Sequence, residues 1–432
     1  MSNREKEIKS EINSLIKEYF DLVHKNKKSE YKAVSGKLFN EKELQYITES
    51  ALDAWFTTGR FNAEFEKKLK DFIGIKDLIT VNSGSSANLV ASATLCAPEL
   101  KDRAIKPGDE FITVAASFPT TVTPLITLGA KPVFVDVDIP SYNLDVQYLE
   151  QALSDKTKAV VIAHTLGNPF DLEKISNFCK KHDLWLMEDC CDALGSQYMG
   201  QHVGTFGDIA TLSFYPAHHI TTGEGGAVFT NNPKLKKIAE SYRDWGRDCW
   251  CPPGTDNTCG IRFDWQLGDL PKGYDHKYIY SRLGYNLKIT DMQAALGLAQ
   301  VEKLESFIQK RKDNFSRLYK GLSDLKDKLI LPEHSENADP SWFGFLISLK
   351  PEANKIDRNE VIRKLNEMKI GTRLLFAGDI RKQPFFKNID YRSVSELKNT
   401  EFIMNNTFWI GVAPLLDNED IDYIISSLKL IL

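Results

Sequence analysis

The chain predicts an α/β protein with a mostly parallel central sheet and a smaller α+β unit at its C-terminal end. Two observations carry that prediction. Between about residues 77 and 230, short β-rich runs alternate with helical stretches, the pattern of a parallel sheet covered by helices on both faces. Beyond about residue 331 a shorter alternation follows, with strand FGFLISL, helix RNEVIRKLNEM, strand TFWIGV and terminal helix IDYIISSLKLIL.

In chain order, MSNREKEIKSEINSLIKEYF reads as an amphipathic helix with Ile8, Ile12, Leu15, Ile16 and Phe20 on one stripe. It lacks the apolar centre of a signal peptide, and residues 1–44 form an N-terminal helical extension. The large α/β domain spans 45–288. Its expected strands are LITV (78–81), EFITVA (110–115), PVFVDVD (132–138), AVVIAH (159–164), LWLME (184–188), IATLSF (209–214) and GAVFT (226–230). Residues 246–288 break the rhythm: they are rich in Gly, Pro and aromatics, and an irregular loop of that length is usually functional. Thr290 then caps what reads as one long connecting helix within 289–330, before the small domain at 331–432.

Composition sets limits. With 432 residues, 42% apolar and 26% charged, the chain can bury a core of two or three domain-sized units. A net charge of −4 leaves no electrostatic footprint for nucleic acid. No apolar run approaches the roughly 20 residues that cross a bilayer. Seven cysteines without an export signal point to the reducing cytoplasm. Cys96 and Cys179 sit in apolar helical patterns and read as small buried hydrophobes.

Ligands of such sheets bind at the carboxyl ends of the strands, and three polar motifs lie there. NSGSSAN (82–88) opens a helix and offers N–H groups and hydroxyls to a phosphate, or is simply a Ser-capped turn. LMEDCCDALGS (186–196) ends a strand in carboxylates, suited to a protonated ring nitrogen or equally to a solvated turn. SFYPAHHITTGEGGAV (213–228) joins two strands through a Gly-rich turn, with His218 and His219 where covalent cofactor chemistry would want an amine. His164, His182, His202, His276 and His334 have no motif around them and read as packing or surface residues, and Trp250 and Trp265 as packing for the loop.

In this order, with FTTGRFNAEFEKKL, TVAASFPTTVTPLITLGAKPVFVDVD and RLGYNLKITDMQAALGLAQ, the motifs resemble the DegT/DnrJ/EryC1/StrS sugar aminotransferase family over roughly residues 45–430. The resemblance implies an aspartate-aminotransferase-like fold, that of the type I pyridoxal-phosphate enzymes. It places Gly84, Ser85 and Ser213 at phosphate-binding positions, Phe118 against the pyridine ring and Asp189 at the pyridinium nitrogen. Asn286 matches a residue that reaches the phosphate in the neighbouring subunit, which implies a homodimer. Three cofactor-site positions depart from the family. His218 stands at the position of the Schiff-base lysine, Asp192 at one that is commonly His or Gln, and Tyr215 at one that is commonly His. Without that lysine ordinary transamination is disabled, whereas a histidine can still move a proton near neutral pH. His219 is expected to have a structural or substrate-lining role.

Cys191 and Cys249 are separated by 57 residues, Cys249 and Cys251 by one, and Cys251 and Cys259 by seven. On spacing alone, an iron–sulfur cluster, zinc and free thiols stand level. Within the family, histidine for lysine together with these cysteines is similar to the iron–sulfur 3-dehydrases of nucleotide-linked 4-keto-6-deoxyhexoses. That resemblance implies a 2Fe–2S cluster on Cys191, Cys249, Cys251 and Cys259, with Cys190 left over. It further implies pyridoxamine 5'-phosphate (PMP/PLP) as cofactor, a CDP-linked 4-keto-6-deoxyhexose as substrate and an NAD(P)H-dependent iron–sulfur flavoprotein reductase as partner. The alternatives are a cluster-free dehydratase regenerated by glutamate and a silent nucleotide-sugar-binding homologue.

Overall fold

The computed structural model describes residues 2–25, 27, 29–353 and 355–432. The strands of the large domain are β1 (Asp77–Val81), β2 (Glu110–Val114), β3 (Lys131–Val135), β4 (Thr157–Ala163), β5 (Trp185–Asp189), β6 (Gln197–Tyr198), β7 (Gln201–His202), β8 (Ile209–Ser213) and β9 (Gly226–Thr230). They are followed by β10 (Leu329–Ile330), β11 (Ala338–Asp339), β12 (Gly344–Leu349), β13 (Thr372–Arg373), β14 (Arg392–Ser393) and β15 (Thr407–Gly411).

The main sheet has the order β1-β9-β8-β5-β4-β2-β3-β14. Only β9 runs against its neighbours; every other pairing in this sheet is parallel. All seven expected apolar runs are strands of it. Their uninterrupted hydrophobicity has a direct cause. On β4, Ala159 and Val161 enter one apolar core while Val160 and Ile162 enter the core on the other face, because successive side chains of a strand point to opposite faces. The eighth strand, β14, comes from the C-terminal region and pairs Arg392 with Val133.

The second sheet, β10-β12-β15-β13, is antiparallel and packs its own core of Phe345, Ile347, Val361, Leu365, Phe408 and Ile424. A small sheet of β11, β6 and β7 completes the set.

Two expectations change. Thr290 does cap a helix through a capping box with Gln293, but the stretch forms two helices, Asp291–Val301 and Leu304–Leu322. The break at Glu302–Lys303 falls where Lys303 Nζ is drawn to both carboxylate oxygens of Glu43, at 2.5 and 2.7 Å. Beyond it the second helix runs to the segment after β15, where Asn314 donates to the Val412 and Ala413 carbonyls. The N-terminal helix, Asn3–Val23, buries only Phe20 of the predicted stripe; Leu15 remains 64% exposed. Its inward contact is made near its end, where Phe20 meets Phe39 edge-on at 5.6 Å. None of the described helices is long and apolar enough to cross a membrane.

Candidate active site

The site forms where β1, β5 and β8 end. After β1 the chain turns straight into the helix Gly84–Leu95. Ser83 caps it by accepting from the Ser86 N–H at 3.0 Å. The N–H groups of Gly84 and Ser85 belong to the first turn and have no helical carbonyl to reach, so this end favours an anion. The Ser85 hydroxyl adds a polar atom, 3.1 Å from Thr120 Oγ1. Ser213, at the end of β8, faces Gly84: a Cβ placed on Gly84 would lie 2.5 Å from Ser213 Cβ. The gap is therefore one that only glycine leaves open.

Asp189, the last residue of β5, is buried. Its Oδ2 accepts from Asn88 Nδ2 at 2.9 Å and from Thr121 Oγ1 at 2.7 Å, and its Oδ1 from the Cys191 N–H at 3.1 Å. Asn88 is held in turn by Thr211 Oγ1 at 2.7 Å. These supporting residues escape sequence reasoning because they come from separate segments. The only local signal is that Asn88 closes the NSGSSAN motif and Thr121 follows Phe118 by three positions. Phe118 and Tyr215 are half exposed at the mouth, and the Phe118 ring meets Phe376 edge-on at 6.3 Å.

His218 Nδ1 lies 3.2 Å from Asp192 Oδ1, and its ring packs against Phe343 at 5.1 Å between centroids. Burial raises the Asp192 carboxyl above its usual value, and His218 opposes that rise. Arg311 is fully buried beneath the turn. It donates to the carbonyls of His218, Trp342 and Phe343, each at 3.3 Å, and burial brings its guanidinium down to about 10. His219 points elsewhere. Its Nε2–H donates to the Ser341 carbonyl at 2.9 Å, and burial, with Arg311 nearby, pushes the imidazole well below its usual value.

One cavity of about 530 Å³ gathers Gly84, Ser85, Phe118, Asp189, Asp192, Ser213, Tyr215 and His218. Asn286 does not line it. It is exposed at the end of the long loop, with Oδ1 accepting from Lys288 Nζ at 3.0 Å. The next residue ties this segment to the phosphate turn, since the Leu287 carbonyl accepts from the Asn82 N–H at 2.7 Å.

The four expected cluster ligands line two cavities. Cys249, Cys251 and Cys259 line a single small cavity in the loop, closed by residues that include Arg262 and His276. Cys191 instead lines the main cavity beside Gly84, and burial, with Asp189 adjacent, drives its thiol well above the usual value. The loop is packed by Trp265 stacked on His276 at 4.5 Å, with Trp250 edge-on at 6.1 Å. Cys190 and His164 join Glu188 in a buried polar cluster on the other face of β5. Glu188 binds His164 Nε2 at 3.0 Å and the N–H groups of Gly204, Phe206 and Gly207, so its carboxylate is fully used in fixing that turn.

A helix terminus facing a strand-end serine, and a buried carboxylate one strand away, fit the phosphate and ring nitrogen of pyridoxal phosphate. Fold and site together define a type I pyridoxal-phosphate enzyme architecture. The chain belongs to the DegT/DnrJ/EryC1/StrS aminotransferase family, whose model matches residues 38–429. It is 61% identical over 395 residues to the lipopolysaccharide biosynthesis protein RfbH of Salmonella typhimurium, covering 91% of this chain and 90% of that one. It is 47% identical over 394 residues to the dTDP-4-dehydro-2,6-dideoxy-D-glucose 3-dehydratase of Saccharopolyspora spinosa, covering 91% and 85%. Among solved structures, Escherichia coli GDP-4-keto-6-deoxy-D-mannose-3-dehydratase with bound hydrated PLP superimposes with a TM-score of 0.83 at 29% identity, covering 92% of this chain and 99% of that one.

Proposed function

We propose that the protein removes the C3 hydroxyl of a nucleotide-linked 4-keto-6-deoxyhexose, with pyridoxamine phosphate as cofactor and His218 as the base. The substrate we favour is CDP-4-keto-6-deoxy-D-glucose, which would make the protein a 3-dehydrase of 3,6-dideoxyhexose biosynthesis. The observation that carries this reading is His218, set against buried Asp192 where the family's aminotransferases carry a lysine. Relatives named as 3-dehydratases of two different nucleotide sugars support it.

Bound pyridoxamine phosphate supplies an amine that can join the C4 ketone and a ring that accepts electrons. The chain does the rest. Gly84, Ser85 and Ser213 would hold the phosphate, and Phe118 would cover the ring. Asp189, fixed by Asn88 and Thr121, would keep a proton on the ring nitrogen through a charge-assisted bond. His218 turns Nδ1 toward Asp192, which leaves Nε2 to take a proton beside the reacting carbon. Asp192 stabilises the imidazolium so formed. Arg311 holds the His218 carbonyl and with it the turn.

Net deoxygenation at C3 consumes two electrons, and an NAD(P)H-dependent iron–sulfur flavoprotein reductase is the donor we propose. Cys191, Cys249, Cys251 and Cys259 are the ligands we propose for a 2Fe–2S cluster, three of them lining one loop cavity, and exposed Asn286 supports a homodimer in which it reaches the partner's cofactor. Cys191 lines the cofactor cavity and not the loop cavity, which favours a second reading: a cluster-free dehydratase whose cofactor is restored by glutamate. One experiment separates them. The protein is purified without oxygen, assayed for iron and acid-labile sulfide, and supplied with the sugar and either the reductase or glutamate. Iron, sulfide and reductase-dependent turnover support the first reading. A protein that stays iron-free after anaerobic reconstitution, yet turns over with glutamate, establishes the second.

A further inference from the structure

The phosphate cradle accounts for one anion, and the same cavity carries a cation that the cofactor does not use. Arg373, at the end of β13, is the only lysine or arginine among the described residues that line it. Its side chain is exposed, and its one hydrogen bond among the described residues runs from Nη1 to the neighbouring Thr372 carbonyl at 2.8 Å. Three carboxylates line the cavity: Asp189 is bound by Asn88 and Thr121, Asp192 faces His218, and among the described residues neither these nor Glu224 forms an ion pair with Arg373.

The strand under Arg373 is firmly held. Its register pairs Arg373 with Trp409 of β15, and the Trp409 indole N–H donates to the Leu374 carbonyl at 3.0 Å. On its other side the N-terminal extension runs alongside. The Lys32 N–H donates to the Lys369 carbonyl at 2.8 Å, and the Gly371 N–H to the Lys32 carbonyl at 2.9 Å. A Cβ on Gly371 would come within 2.7 Å of the Tyr31 hydroxyl, and one on Gly411 within 2.5 Å of the Val34 carbonyl oxygen. The extension then contributes Ser35 to the cavity wall. A guanidinium projecting from a braced strand can donate two parallel hydrogen bonds to neighbouring oxygens of a phosphate group.

We infer that Arg373 recognises the diphosphate of the nucleotide-linked substrate, an inference that rests on the function proposed above. The test is calorimetric titration of the pyridoxamine-phosphate-loaded protein with CDP, GDP and dTDP, for wild type, Arg373→Gln and Arg373→Lys. The expected result is a loss of roughly 10- to 100-fold in diphosphate affinity for Arg373→Gln, the range of a charge-assisted hydrogen bond. Arg373→Lys should recover part of it. In turnover the change should fall on KM and leave kcat, cofactor retention and the thermal midpoint in place, which a merely structural residue would not do. Unchanged affinity in Arg373→Gln for a diphosphate that wild type binds overturns the inference and leaves the proposed function standing. A wild-type protein that binds none of the three overturns the nucleotide-sugar reading itself, and the inference with it.

Discussion

His218 Nδ1 stands 3.2 Å from Asp192 Oδ1 at the floor of the cavity. A histidine so placed can carry a proton but cannot hold the cofactor as a lysine does. His218→Asn should therefore keep its pyridoxamine phosphate while losing turnover by roughly 100- to 10,000-fold, the usual span for a general base. Cofactor absorbance and a sugar-consumption assay on the same sample check both halves. Normal turnover would remove His218 from the chemistry.

The Gly84–Ser213 gap makes the second prediction. Gly84 has ordinary helical geometry, so an alanine there meets no backbone penalty, but its Cβ would lie 2.5 Å from the Ser213 side chain and 3.2 Å from Cys191 Sγ. Gly84→Ala should weaken pyridoxamine phosphate binding by about 10-fold or more and cost about 1–3 kcal/mol of stability through overpacking. Cofactor titration and urea unfolding of the same variant measure the two effects.

Much of this was legible before the structure, for a physical reason. Strands buried on both faces read as apolar runs, and the polar residues that follow them must lie at one edge of the sheet. Gly84, Phe118, Asp189, Ser213 and His218 consequently face one cavity. Two kinds of feature were not legible. β13 and β14 are two residues long, too short to show a period, yet one carries Arg373 and the other extends the main sheet. Contacts between segments leave no local trace either: the Asn88–Asp189–Thr121 network, the break at Lys303 and the placing of Cys191 and the loop thiols on two cavities are all of that type.

His219 supplies a pH prediction. Its imidazole is buried neutral, with the folded value pushed well below 6.5. Below that pH the unfolded chain takes up a proton that the folded chain does not, so stability is full above it and falls as the pH drops. The loss from this group between pH 7.5 and 5.5 should be about 1.4 kcal/mol. His219→Gln, whose amide can still donate to the Ser341 carbonyl, should lose less over the same interval. Urea unfolding at the two pH values decides it, and equal slopes would refute the assignment.

The cysteines differ in reactivity as well as position. Burial works against the Cys251 thiolate, but hydrogen bonds from Thr258, whose hydroxyl lies 3.0 Å away, together with Cys249 hold the thiol below its usual value. Cys191 is driven the other way by burial and by Asp189. Because the thiolate is the species that reacts, alkylation of the metal-free protein at about pH 8 should label Cys251 well before Cys191, read by peptide mass. If the loop thiols hold the metal, Cys249→Ser, Cys251→Ser and Cys259→Ser should each lower iron per chain after anaerobic purification, while Cys96→Ser should not. Cys191→Ser then reports on the loop itself. Iron retained in that variant would leave the ligand set on the loop, whereas iron lost would require the loop cavity and the cofactor cavity to meet when the metal binds.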